Sequence, residues 1–180
     1  MSPLAIIACS IGGLFVIGNL PAIFVPTVFR RAGEAFPRSR VPAWILTAVD
    51  LAWVSWVILH ASLGRFEFLK PYVYAAAPIS FLLIVFFMDE LLAPRVLAGL
   101  VLLVVNPILN ITRWNPSPWR LVITVIVYVW IVVSIVVILS PYRFRQLFAF
   151  ITRTDLRTRV GGVGRLLFGI FLIFLGLKVY

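Results

Sequence analysis

The chain has 180 residues, 63% of them apolar and only 12% charged, with a mean hydropathy of +1.11. A soluble domain carries about twice that share of charge and still exposes much of its surface, so this composition excludes a soluble globular protein. The formal net charge is +10, from sixteen Lys/Arg against six Asp/Glu; on a membrane chain that excess speaks for orientation and anionic lipid, and against nucleic acid as a partner.

Only helices and closed barrels span a bilayer. The apolar runs here are continuous and about twenty residues long, which suits helices and not the alternating ten-residue strands of a barrel. The expected fold is therefore an all-α polytopic bundle of about six transmembrane helices in a single domain, with one amphipathic interfacial helix. Span 1, residues 4–29, holds Asn19, Pro21 and Pro26, and its two prolines predict a kinked second half. Cys9 is the single cysteine, which excludes an intrachain disulfide, and it reads as a small apolar member of this helix. The loop RRAGEAFPRSR (30–40) follows, with four arginines.

Span 2, residues 41–63, carries Asp50 well inside the apolar run and His60 near its far end. Asp50, Trp53, Val57 and His60 fall on one helical stripe, which is expected to face protein. Span 3 covers 72–88, and the short connection DELLAPR (89–95) leads to span 4 at 96–112, with Pro94 suited to its first turn. The octet RWNPSPWR (113–120) makes a turn that sets Trp114 and Trp119 at headgroup level, with Arg113 and Arg120 reaching for phosphates. Span 5 covers 121–140.

In the segment 142–159, Phe144, Leu147, Phe148 and Ile151 repeat at helical spacing, while Arg143, Arg145 and Arg153 fall off that face. The pattern predicts an amphipathic helix on the membrane surface, where Arg143, Arg145, Arg153, Arg157 and Arg159 contact anionic headgroups or a partner. Span 6, residues 160–180, contains Gly161, Gly162, Gly164, Gly169 and Gly176, small residues that permit close packing within the chain or self-association.

Six spans put eleven Lys/Arg on the side of the 30–40, 89–95 and 141–165 segments and five on the other. The positive-inside rule then places the first side in the cytoplasm and both termini outside, in a plasma or inner membrane. Counted from the cytoplasmic ends at about 1.5 Å per residue, Asp50 and Ser80 come out about 14 Å deep, Asn19 and Asn106 about 15 Å, and Tyr128 about 18 Å. These heights predict a mid-membrane polar layer in which Asn19 and Asn106 hydrogen-bond Asp50. Such a layer is either a packing clasp or a proton or cation site.

A single histidine leaves no bis-His haem and no two-His metal site within the chain, and no phosphate-cradling loop or GxSxG is present. No cofactor is identified. The pair Asp89 and Glu90 is the one carboxylate pair in the chain, without a neighbouring His or Cys. The reading is a non-enzymatic accessory protein or complex subunit that binds lipid or other membrane proteins. The alternative is a small proton- or cation-coupled transporter or channel using Asp50.

Overall fold

The computed structural model describes residues 2–87 and 91–180. Among the described residues eight α-helices follow one another: α1 (Pro3–Phe24), α2 (Pro26–Ala35), α3 (Arg40–His60), α4 (Lys70–Phe87), α5 (Leu92–Arg113), α6 (Arg120–Leu139), α7 (Pro141–Ile151) and α8 (Asp155–Lys178). Short 3₁₀ turns precede α3 (Phe36–Arg38) and α4 (Gly64–Leu69). Six helices are long and apolar enough to cross a membrane, namely α1, α3, α4 with its leading turn, α5, α6 and α8. The protein is thus an all-helical, multi-pass membrane bundle.

Local chemistry sets most boundaries. Ser2 caps α1, its Oγ accepting from the Ala5 amide at 3.1 Å, with Pro3 at the first helical position where no N–H is needed. The first span is shorter than expected. Val25 leaves the helical region (φ −134°, ψ 63°), and Pro26 starts a separate helix, so 4–29 is not one continuous element. Pro26 supplies the reason, because a proline inside a helix removes a hydrogen bond and clashes with the preceding turn. Pro21, by contrast, is carried within α1. At the other end of the chain α8 begins at Asp155, earlier than the expected 160. Thr154 caps it by accepting from the Arg157 amide, and Asp155 places a negative charge in its first turn. The helix before it therefore ends at Ile151, and Arg157 and Arg159 belong to a spanning helix.

The spans alternate in direction, and the α1–α8 seam shows this directly. Gly12 meets Gly169, Ala22 lies against Gly162, and Ala5 with Cys9 lies against Gly176, so the two helices run antiparallel. Gly162, Gly169 and Gly176 recur every seven residues, the interval that keeps one helix face on a partner. These glycines therefore serve packing within the chain. A Cβ on Gly12 would stand 2.6 Å from the Gly169 carbonyl oxygen, and one on Gly176 would stand 2.6 Å from the Cys9 sulfur.

The main core joins this pair to α5 and α6 through Leu4, Ala8, Ile11, Val105, Ile108, Ile123, Val127, Leu172 and Leu175. Helix α3 packs on α5, and α4 packs on α3 at the periphery. Ala43, Leu92 and Ala93 form a second, smaller core where α3 meets the start of α5. Helices α2 and α7 lie together at the end of the bundle where α1 and α6 finish. Phe148 rests on Gly33 and packs beside Phe29, and Phe144 packs beside Phe36.

Candidate functional site

Asp50 sits midway along α3, on the side that packs against α5. Its carboxylate lies over Gly99, where a Cβ would come within 2.9 Å of Oδ2. Glycine is what lets the carboxylate approach the α5 backbone so closely. The other oxygen, Oδ1, is buried and has no hydrogen-bond partner among the described residues.

The expected hydrogen bonds of the polar layer are not made among the described residues. The Asn19 side chain, 8% exposed, donates from Nδ2 to the Phe15 carbonyl of its own helix at 2.7 Å. Asn106 is exposed on the outside of the bundle, and so is Tyr128 at 57%. Ser80 is half-buried on α4. Equal height does not bring these groups together: Asn19 belongs to α1, which packs on α8 and not on α3, and Asn106, although on α5 beside α3, faces outward.

The stripe below Asp50 also differs from expectation. Trp53 is half-buried, but Val57 is 42% exposed and His60 is exposed. The His60 ring turns back on its own helix, with Nδ1 donating to the Trp56 carbonyl at 2.8 Å and the two rings 4.8 Å apart. The buried polar position of α3 that periodicity did not single out is Thr47. Its hydroxyl donates to the Ala43 carbonyl at 2.7 Å, and the residue is 1% exposed. An i−4 bond of this kind satisfies a buried hydroxyl without a partner helix, so it leaves no pattern in the sequence beyond the threonine itself.

The turn between α5 and α6 is built by its own polar groups. Asn115 Oδ1 accepts from the Ser117 amide at 3.0 Å, an arrangement typical of asparagine in turns. Arg120 is spent on this turn, donating from Nη1 to the Arg113 and Asn115 carbonyls at 3.0 and 2.8 Å. Arg113 stacks over the Trp114 ring at 5.6 Å. Trp114 is 81% exposed and Trp119 49%. Tyr180 donates its hydroxyl to the Trp119 carbonyl at 2.7 Å, tying the end of α8 to the same turn.

At the opposite, basic end, α2 is joined to α8 by an ion pair between Arg30 and Asp155 at 2.5 Å. Arg143, Arg145, Arg153, Arg157 and Arg159 are all exposed there, and Arg157 also lies over the Phe150 ring at 5.7 Å. Two of the four aromatic and aliphatic residues that mark the amphipathic face of α7, Phe144 and Phe148, pack on protein. Leu147 points outward, 53% exposed. Asp89 and Glu90 lie outside the described residues. Among the described residues no group of three or more His, Cys, Asp or Glu side chains is placed to hold a metal ion.

Comparison with protein-family models, with curated proteins and with solved structures finds no match for this chain.

Proposed function

We propose that the chain is a non-enzymatic accessory protein or complex subunit of a membrane, binding lipid and other membrane proteins through its helix faces and its basic end. The observation that carries this reading is the placement of α4. Only 6% of its apolar stretch is buried within the chain, against about 30% in α1, α5, α6 and α8. Its contacts are confined mainly to α3 and to its own leading turn. Tyr74, Ile79, Leu83, Phe86 and Phe87 all project from it, each more than half exposed. A span held on one side only contributes little to this fold's core and offers a long apolar face to a neighbour in the bilayer.

The basic end supplies orientation. Its arginines favour the cytoplasmic leaflet of a plasma or inner membrane, where each is worth about 1 kcal/mol of attraction to anionic lipid. Both termini then lie outside, and α7 lies along the headgroups with Leu147 and Phe150 toward the acyl chains.

The test is photo-crosslinking from positions 79 and 83 of α4 in native membranes, followed by mild-detergent purification. A discrete adduct with one membrane protein supports the subunit reading. Lipid adducts alone, with a clean monomer after purification, would remove it.

The second reading is a small proton- or cation-coupled transporter or channel. It is favoured by Asp50, whose buried Oδ1 has no hydrogen-bond partner among the described residues and so has a place for a proton or a cation. In proteoliposomes this reading requires a pH-dependent flux that Asp50→Asn abolishes.

A further inference from the structure

Where α2 and its following 3₁₀ turn face α7, they enclose a cleft of about 360 Å³. Glu34 and Arg38 line one wall, and Tyr142, Arg145 and Gln146 line the other, with Phe148 also exposed to the space. Three of these side chains are charged. Among the described residues the ion pairs are Arg30–Asp155 and Lys70–Glu67, so Glu34, Arg38 and Arg145 share a cleft without neutralising one another. The floor is fixed by Gly33. A Cβ there would collide with the Phe148 ring, so glycine is what allows α7 to close against α2.

We propose that this cleft is a headgroup site for an amine-bearing phospholipid, with Arg38 and Arg145 on the phosphate and Glu34 on the ammonium. The proposal rests on the reading that the basic end lies at the membrane surface. Position agrees with it: α2 and α7 begin directly after the apolar helices α1 and α6 end, which is headgroup height for a chain that spans the bilayer. Size agrees as well, since 360 Å³ is at the small end for ligand sites and suits a polar headgroup better than a whole lipid.

Charge makes the choice among headgroups. Two arginines fit a phosphate through charge-assisted hydrogen bonds. An anionic lipid without an amine satisfies the two arginines but leaves the Glu34 carboxylate in the cleft with no cation to meet it. A phosphocholine offsets the charge but has no N–H to donate to the carboxylate. A phosphoethanolamine does both, and Gln146 and the Tyr142 hydroxyl supply further polar groups on the same wall.

The test is native mass spectrometry of the full chain in mild detergent. Phosphatidylethanolamine, phosphatidylcholine and phosphatidylglycerol of identical acyl composition are each titrated against wild type, Glu34→Gln and the double variant Arg38→Gln/Arg145→Gln. All three positions are exposed, so the variants should fold, and matched melting curves check this. The expected result is about tenfold better retention of phosphatidylethanolamine than of the other two by wild type, the size of one charge-assisted hydrogen bond. Glu34→Gln should erase its advantage over phosphatidylcholine, and the double variant should lose retention of all three.

Equal retention of ethanolamine and choline lipids by wild type would overturn the site. So would an unchanged preference in Glu34→Gln. Preference for phosphatidylglycerol would overturn the site yet leave the basic end at the membrane, whereas retention of no lipid at all would overturn both. Free phosphoethanolamine at millimolar concentration should leave the lipid adduct in place. Displacement by it would make a soluble phosphomonoester the ligand and end the lipid assignment.

Discussion

The α1–α8 seam makes a sharp prediction because glycines of the same helices differ so much in their surroundings. A Cβ at Gly12 would lie 2.6 Å from the Gly169 oxygen, 2.7 Å from Ile173 Cγ1 and 3.0 Å from the Ile173 nitrogen. One at Gly169 would lie 2.8 Å from the Gly12 oxygen and 2.9 Å from Phe15 Cβ. Carbon contacts are comfortable at about 3.5–4.0 Å, and three of these neighbours (the Gly169 and Gly12 oxygens and the Ile173 nitrogen) are backbone atoms that move only with their helices. Gly12→Ala or Gly169→Ala must therefore push α1 and α8 apart.

Overpacking of that kind costs about 1–3 kcal/mol, against a helix-propensity gain for alanine of about 1 kcal/mol. The net expectation is a loss of up to about 2 kcal/mol for either change. Gly13→Ala and Gly164→Ala meet nothing within 4 Å and should be neutral or slightly stabilising. Combining Gly12→Ala with Gly169→Ala should cost less than the sum, since both relieve themselves by the same separation. The assay is denaturation of the purified protein in detergent, followed by helical circular dichroism. If Gly12→Ala proves as stable as Gly13→Ala, the seam is not packed as described.

Asp50→Asn should leave unfolding unchanged or slightly harder, because among the described residues Oδ1 makes no hydrogen bond to lose; a loss well above the about 0.6 kcal/mol that an interhelical hydrogen bond averages would restore the clasp. Gly33→Ala drives a Cβ into the Phe148 ring and should lift α7 from α2. Faster tryptic cleavage after Arg143 and Arg145 would report this, and an unchanged digestion rate would contradict the contact. Burial pushes the Tyr180 hydroxyl above its ordinary value of 10. The protonated donor is thus favoured in the folded state. The stability this contributes is complete below pH 10 and fades as pH rises through the higher folded value. Tyr180→Phe should flatten that alkaline loss, and an identical pH profile in the variant would show that another group causes it.

The number and order of the spans were legible because hydrophobic length is a one-dimensional signal. Depth was legible in the same way, and this is where inference about the candidate site failed. Counting residues gives the height of Asp50, Asn19 and Asn106, but neither which helices are neighbours nor which way each is turned. Here α1, with Asn19, packs on α8 and not on α3, and α5, although it packs on α3, turns Asn106 outward. The spacing of Gly169 and Gly176 announced a close contact without naming the partner; Ala5, Cys9 and Gly12 stand at i, i+4 and i+7 on one face of α1, but that interval does not say which helix they meet. The break at Val25 was hidden because Pro21 and Pro26 look alike in sequence, yet one is tolerated in a helix and the other starts a new one. The pairing of Gly33 with Phe148 joins distant parts of the chain, and nothing local to either residue foretells it.

The antiparallel seam also bears on how the protein is made. Its two halves come from opposite ends of the sequence, so the glycine face of α1 enters the bilayer long before α8 exists to cover it. Until α8 is inserted, that face lacks its partner, and the bundle cannot settle. Ribosome-bound chains that stop before α8 should therefore be the form most open to quality-control proteases.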